Sequence, residues 1–451
     1  MNLFRKNRKQ FQRAVVLGLD GMPFSLLQSM LAEGRMPNFG ALIQKGSLMA
    51  MDSVAPTVSS TAWASIATGC NPGKHGIYGF IDRVPSTYEM FIPTSRTLKA
   101  KTWVDLFSGM GGRVFSMGVP TTFPPKAVNG ILISGFLAPE LKRSTYPLHI
   151  ATELEQMGYL IDIDAWQARE DREKFLDEIF VALERRIEAL FKYYAQGPWD
   201  LFVAHFMDTD RLHHFLWGDV ERGDPIYTGW FNRFYDRVDA LIGELTSRLD
   251  DDTLLMIMSD HGFCTLHREV HLNYWLRQVG LLSFASPEPK QLHDLDPQTK
   301  CYSLLPGRFY VRVKGRERGG CVQPGAEYEK VRQDVAAGLN ALRDPQNGAR
   351  IIERVLMREE AFSGPDLDSA PDLIAVPARG YDLKGGFEKQ VLLEPSPVNG
   401  THTFDDALWF TNTPGLNCDD ATVVDVLPTM MNLLGLNSPE GVDGRIIGGS
   451  L

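Results

Sequence analysis

At 451 residues the chain is longer than a single hydrophobic core usually grows, so one large domain with an appendage, or two domains, is expected. Hydrophobic residues at 44% and charged residues at 23% fit an ordinary globular enzyme, and a net charge of −10 spread along the chain excludes a general basic field for a nucleic-acid polymer. Cys70, Cys264, Cys301, Cys321 and Cys418 are odd in number and scattered without a CxxC pair, which argues against a disulfide framework or zinc knuckle and suits a reducing cytoplasm.

Residues 1–13 form a basic tail with Arg5, Lys6, Arg8, Lys9 and Arg13. A solvated terminus is expected there rather than a stable membrane anchor, because no apolar stretch follows that is long enough for a secretory or spanning segment. Residues 14–19 then predict a buried strand and 23–33 a helix. Further strands are predicted at 113–117, 130–134, 200–206, 254–258 and 372–376. Apolar residues at helical spacing predict long helices over 171–194 and 228–249. A last helix is predicted over 421–434, kinked at Pro428. Short apolar runs alternating with amphipathic stretches define an α/β fold with a central, mostly parallel sheet flanked by helices. Residues 287–397 differ, with turn-rich pieces, a strand-like run at 309–313 and a helix over 326–342. They read as an inserted α+β subdomain, a lid between core segments 14–286 and 398–451.

Four Asp/His clusters follow or precede strand-like runs. Asp20 ends the first, in VVLGLDG. Asp210 and His214 lie beyond LFVAHF, in MDTDRLHHF; Asp260 and His261 follow LLMIMS; His402 precedes ALWF. Side chains at the carboxyl ends of strands in an open α/β sheet converge on one crevice. Carboxylate oxygen and imidazole nitrogen without thiolate are ligands for divalent ions, zinc first and manganese second. Each cluster alone has a plainer reading. Asp20 suits a turn or cap, Asp210 and His214 at four-residue spacing suit a surface pair, and a single His402 suits a structural role. His213, three residues from Asp210, is not excluded by spacing. The joint occurrence favours a metal centre.

The second signal is the hydroxyl run Thr57, Ser59, Ser60 and Thr61 ahead of the apolar stretch 62–67. Such a run often caps a helix. It also places a hydroxyl oxygen at a helix N-terminus, where the helix dipole and exposed N–H groups favour an anion.

The ordered blocks VVLGLDGM, TGCNPGKHGI, DTDRLHH, SDHGF and GTHTF, with the closing VVDVLPTMMNLLGLNSPEGVDGRII, resemble the type I phosphodiesterase/nucleotide pyrophosphatase family of the alkaline phosphatase superfamily. The resemblance runs from Asp20 to Gly444, nearly the whole chain. It implies an alkaline-phosphatase-like core, one metal held by Asp210, His214 and His402, and a second held by Asp20, Asp260 and His261. Counting back from the TG of TGCNPGKHGI, the nucleophile position falls on Ser59, near both metals, while His75 and Gly76 are read as structural. The stretch Ser59-Ser60-Thr61-Ala62-Trp63 departs from the family's Thr followed by Phe-Pro-Asn-His, and resembles a bacterial or archaeal branch with an Ala-Trp pair. Its implied activity is hydrolysis of a small phosphorylated substrate, a nucleotide or other phosphodiester, through a phosphoryl-enzyme on Ser59. A phosphomonoesterase, phosphonate hydrolase or phosphomutase of the same superfamily is the alternative, as is a non-catalytic protein that binds a phosphorylated ligand. Before Lys74 the nucleophile segment holds no Arg or Lys to meet an extra phosphate charge, so a diester is expected to outrun a monoester. Ser60 is expected to cap the helix.

Overall fold

The structure is a computed structural model and describes residues 11–165 and 170–448; Arg5, Lys6, Arg8 and Lys9 of the basic tail lie outside them. Eight strands form the main sheet: β1 (Arg13–Leu19), β2 (Ser47–Met51), β3 (Val114–Met117), β4 (Gly130–Ile133), β5 (Thr145–Tyr146), β6 (Leu201–Phe206), β7 (Thr253–Met258) and β8 (Ala407–Thr411). Their spatial order is β2-β8-β7-β1-β6-β3-β4-β5. The inner five, β7 to β4, pair in parallel, while β8 and β5 run antiparallel to their inner neighbours.

Parallel strands covered on both faces read as continuous apolar runs, and side chains two residues apart share a face. In β1, Val15, Leu17 and Leu19 enter one core with α1 (Phe24–Ala32), while Ala14 and Val16 enter another with α2 (Ser59–Thr68). Three long helices, α3 (Arg172–Tyr194), α4 (Asp208–Glu221) and α5 (Pro225–Thr246), cover the first face.

Helix starts follow side-chain chemistry closely. Asp171 accepts from Lys174 N at 3.0 Å and opens α3 one residue later than the apolar spacing predicts. Helix α5 opens at Pro225 rather than residue 228, because Asp224 accepts from Ile226 N and Tyr227 N and proline at the first position sacrifices no hydrogen bond. The helix predicted over 421–434 is in fact a 3-10 turn, Val423–Asp425, followed by α7 (Val426–Leu433), with α6 (Ala326–Ala341) earlier in the chain. Pro428 lies in the first turn of α7, where N–H groups have no intrahelical partner, so it starts this helix rather than kinking it.

The inserted segment builds its own antiparallel sheet, ordered Cys301–Leu304, Arg308–Val311, Leu373–Pro377, Ile352–Met357, with α6 packed on it through Val331, Val335 and Leu339. The same apolar core takes in Val270, Leu272, Trp275 and Leu276, so packing ties the chain from Val270 onward to this segment. A small cluster of Ala55, Tyr78, Phe362, Ile374 and Val376 seats it on the main body. Across that junction Arg83 meets Glu317 at 2.7 Å, with the two side chains 1% and 5% exposed, and stacks 3.9 Å over Tyr310. A buried pair broken on one side leaves an uncompensated charge. Arg83→Met is therefore expected to cost about 3 kcal/mol, measured by chemical denaturation, with Arg316 Nε, 3.2 Å from Glu317, limiting the loss.

Candidate active site and metal centre

Asp20, the start of α4, and Asp260-His261 follow the carboxyl ends of β1, β6 and β7, three neighbouring parallel strands. His402 arrives differently. Its strand Gly400–Thr403 pairs antiparallel with Gly262–Thr265 in a two-stranded ladder that sets Phe263 opposite His402. Ser59 is the first residue of α2, whose N-cap is Val58. The structure thus brings together Asp20, Ser59, Asp210, His214, Asp260, His261 and His402, all seven residues singled out from the sequence.

One group comprises Asp210, His214 and His402. His214 Nδ1 lies 3.0 Å from Gly400 O and His402 Nδ1 3.2 Å from Thr57 O. A carbonyl oxygen only accepts, so both Nδ1 atoms donate and both Nε2 atoms turn inward. The two Nε2 atoms are 3.1 Å apart, with Asp210 Oδ1 at 3.1 Å from His402 and 3.4 Å from His214. Two imidazole nitrogens and a carboxylate oxygen thus converge on one point. Burial works against the Asp210 carboxylate, yet His214 and His402 hold it well below the usual carboxylate range. Burial also opposes charge on His402, but Asp210 outweighs it and raises its pKa.

The second group comprises Asp20, Asp210 and His261. His261 Nδ1 faces Gly262 O at 3.1 Å, leaving Nε2 toward Asp20 Oδ1 at 3.5 Å, Asp260 Oδ2 at 3.4 Å and Ser59 Oγ at 3.5 Å. Asp20, Asp260 and His261 are all 0% exposed. Burial, then the His402 ring stacked 3.8 Å away, push the His261 pKa down to about 3, so its nitrogen is free of a competing proton at neutral pH. Asp260 Oδ1 accepts from Gly21 N at 3.1 Å, while Oδ2 is buried with no hydrogen-bond partner. Burial, and then Asp20, raise the Asp260 pKa well above its ordinary value. An orphaned carboxylate oxygen and unshared imidazole nitrogens fit divalent cations, which would satisfy them together.

The carboxylate of Asp20 is gripped by residues that the sequence reading passed over. Its Oδ2 lies 2.8 Å from His205 Nε2 and accepts from Trp63 Nε1 at 2.9 Å. His205 Nδ1 lies 2.8 Å from Gly118 O, so both partners of this ring only accept. Trp63 crosses β1 above Gly18, where a Cβ would sit 2.5 Å from its ring, so that position needs glycine. Gly21 adopts φ +63°, and a Cβ there would crowd the His261 and Phe263 rings. Face periodicity could have flagged His205, since residues 201, 203 and 205 share the face of α2 on a strand ending beside Asp20.

His213 resolves to a core histidine: its two nitrogens meet Gly21 O at 3.1 Å and Tyr235 OH at 2.6 Å. His75 accepts from Ile77 N at Nδ1 and meets Ser65 Oγ at 2.9 Å, and Gly76 closes its short helix at φ +76°. Ser60 does not cap α2. Val58 holds that position, no side chain caps the helix, and the Ser60 hydroxyl is buried without a partner. A third group, Glu269, His271 and Glu394, already has Lys384 and Lys389 against its carboxylates.

Buried carboxylates and imidazoles gathered around a hydroxyl at the strand ends of a mostly parallel sheet define a phosphoric ester hydrolase with an alkaline-phosphatase-like fold. Residues 14–405 match the family described as type I phosphodiesterase/nucleotide pyrophosphatase, and the chain belongs to that family. The fold is similar to that of phosphonoacetate hydrolase from Sinorhizobium meliloti 1021, at 18% identity and a TM-score of 0.63 over 95% of this chain and 96% of that one. It is similar to murine ectonucleotide pyrophosphatase/phosphodiesterase 5 at 14% identity and a TM-score of 0.57, over 96% and 98% of the two chains. A stretch of 79 residues is 30% identical to the human GPI ethanolamine phosphate transferase 3, catalytic subunit, spanning 18% of this chain and only 6% of that protein. No helix among the described residues is long and apolar enough to cross a membrane.

Residues that orient a metal ligand commonly contribute 10- to 100-fold in metal affinity. Replacing His205 with Phe should keep the fold and weaken metal binding by about that range, read by competition with a chromogenic chelator.

Proposed function

We propose that this protein hydrolyses small phosphodiesters, nucleotide-type esters among them, using Ser59 as nucleophile and two divalent cations, zinc first and manganese second. The observation that carries this is the position of Ser59: its Oγ lies 3.1 Å from Asp20 Oδ1 and 3.5 Å from His261 Nε2, against the ligand group that Asp20 and His261 form. Asp210, His214 and His402 would hold one ion, and Asp20, Asp260 and His261 the other. When bound, such ions supply the positive charge that favours the alkoxide and offsets charge on the leaving oxygen.

The chain's own residues account for the rest. Ser59 donates its hydroxyl hydrogen to Asp20, which turns an oxygen lone pair outward. Thr61 N and Ala62 N both reach Val58 O, whereas Ser59 N and Ser60 N make no hydrogen bond among the described residues. These two donors suit a phosphoryl oxygen at the helix N-terminus. Attack would form the Ser59 Oγ–phosphorus bond as the opposite ester bond breaks and the first alcohol leaves; water would then cleave the Ser59 Oγ–phosphorus bond, releasing the phosphomonoester and restoring the hydroxyl.

A cavity of about 180 Å³ opens on His214 and His402, and its far wall is built by Leu305, Pro306, Asp382 and Lys384. On that ground residues 287–397 act as a lid that selects the leaving group. An inactive variant of the murine structural relative holds AMP, a ligand of the size this reading assigns. The five cysteines are all unpaired, which suits the cytoplasm.

Ser59→Ala should retain its metals and fold but lower turnover of bis-p-nitrophenyl phosphate by about three orders of magnitude or more, the covalent route being lost. Ser60→Ala loses no hydrogen bond, so its stability should change by less than about 0.5 kcal/mol. Near-normal activity in Ser59→Ala, or a phosphoryl group trapped on another hydroxyl, would sink the assignment.

A panel of diesters, dinucleotides, monoesters and phosphonoacetate, each with zinc and with manganese, tests the substrate. Diesters should be turned over faster than monoesters. A monoesterase rate well above the diesterase rate with every metal reverses that reading.

A further inference from the structure

Arg211 stands next to Asp210 on α4, and neither the metal centre nor the nucleophile accounts for it. Its guanidinium is pinned from one side by Asp162, with Nε 3.2 Å from Oδ1 and Nη2 2.7 Å from Oδ2. This fork uses two of the five N–H donors. The remaining nitrogen, Nη1, is 3.6 Å from Asp210 Oδ2, too long for a hydrogen bond, and makes none among the described residues. Asp210 Oδ2 is the oxygen turned away from His402, so Nη1 borders the centre from the side opposite the imidazoles.

Aromatic packing fixes the same place. The guanidinium carbon lies 4.8 Å from the Phe136 ring centroid, and Phe136 meets Phe80 edge-on at 5.3 Å. Phe80 lines the cavity that holds His214 and His402. With 15% of its side chain exposed, Arg211 is neither sealed in the core nor free in solvent, one aromatic pair away from that cavity's lining.

We propose that Arg211 binds a non-bridging oxygen of the substrate's phosphoryl group through Nη1, with Asp162 as the positioning residue that fixes the fork; this rests on the phosphoryl-transfer reading of the site. Paired with Asp162, the guanidinium adds two directed donors and no net charge. Such a contact suits a phosphodiester, which brings one negative charge, and does not require the second charge of a monoester. Lysine would not serve equally, because its single ammonium cannot hold Asp162 with two nitrogens and present a third.

The test uses the full-length, metal-loaded protein and inorganic phosphate. Isothermal titration calorimetry of R211A should show phosphate affinity reduced about 10- to 100-fold, the range for a charge-assisted hydrogen bond, with metal content unchanged. R211K should recover part of the loss, and D162N, which keeps the arginine but loosens it, should fall between R211A and the parent. The kcat/KM for bis-p-nitrophenyl phosphate should decline in the same order. Phosphate affinity within twofold of the parent in both R211A and R211K overturns the proposal, as does a loss explained by lower metal content, which would place Arg211 behind Asp210. Should the parent hydrolyse no ester while phosphate binding still depends on Arg211, the proposed function fails and this contact stands. An active parent with an indifferent R211A gives the converse.

Discussion

Everything at this site follows from holding like-signed atoms together where water cannot separate them. Asp20 and Asp260 are fully buried and Asp210 is 2% exposed, yet oxygens of Asp20 and Asp210 meet imidazole nitrogens within a few ångströms, and Asp260 Oδ2 lies 3.4 Å from His261 Nε2. Isolated carboxylates placed there would take up protons or drift apart. The fold keeps them from drifting apart by tying each group from behind. Asp20 is held by Trp63 and His205, Asp260 by Gly21 N, and the imidazoles by the carbonyls of Thr57, Gly262 and Gly400. Beyond those ties the inward atoms face each other and the Ser59 hydroxyl, an arrangement that divalent cations would satisfy. Much of the sheet's rigidity, with both faces of β1 packed in separate cores, serves to keep these ties in register.

The sequence showed the main sheet because strands buried on both faces read as unbroken apolar runs, and β1, β6 and β7 stand out for that reason. It pointed to Asp20, Asp210, Asp260 and His261 because the topology of such sheets sends strand ends to one crevice, and to Ser59 through the register of the TGCNPGKHGI block. What it hid was carried by geometry rather than composition. His205 sits inside an apolar strand; alternation places it on the α2 face beside Asp20, but a grip on Asp20 is visible only once the side chains are placed. The hydroxyl run resembled a cap, but Val58 ends up at the cap position, so Ser60 points into a dry site without a partner. Pro428 suggested a kink because its neighbours look helical on both sides; the preceding 3-10 turn moves it into the first turn instead.

Arg211 shows the same limit from another angle. Its importance depends on Asp162, distant in sequence, and on two phenylalanines that no motif connects to it. A basic residue beside a metal-ligand motif is unremarkable by composition alone. Only the direction of the fork decides which nitrogen is spare.

The short ladder that presents His402 has a consequence for how such proteins change over time. Thr265 pairs with Gly400, so the whole inserted segment leaves and re-enters the core at one rung. Closing a loop depends weakly on its length, each doubling adding only about 0.6 kcal/mol. The chemistry is thereby insulated from whatever is threaded between those two strands. A lineage can lengthen, trim or replace the insert while Phe263 and His402 stay opposite each other.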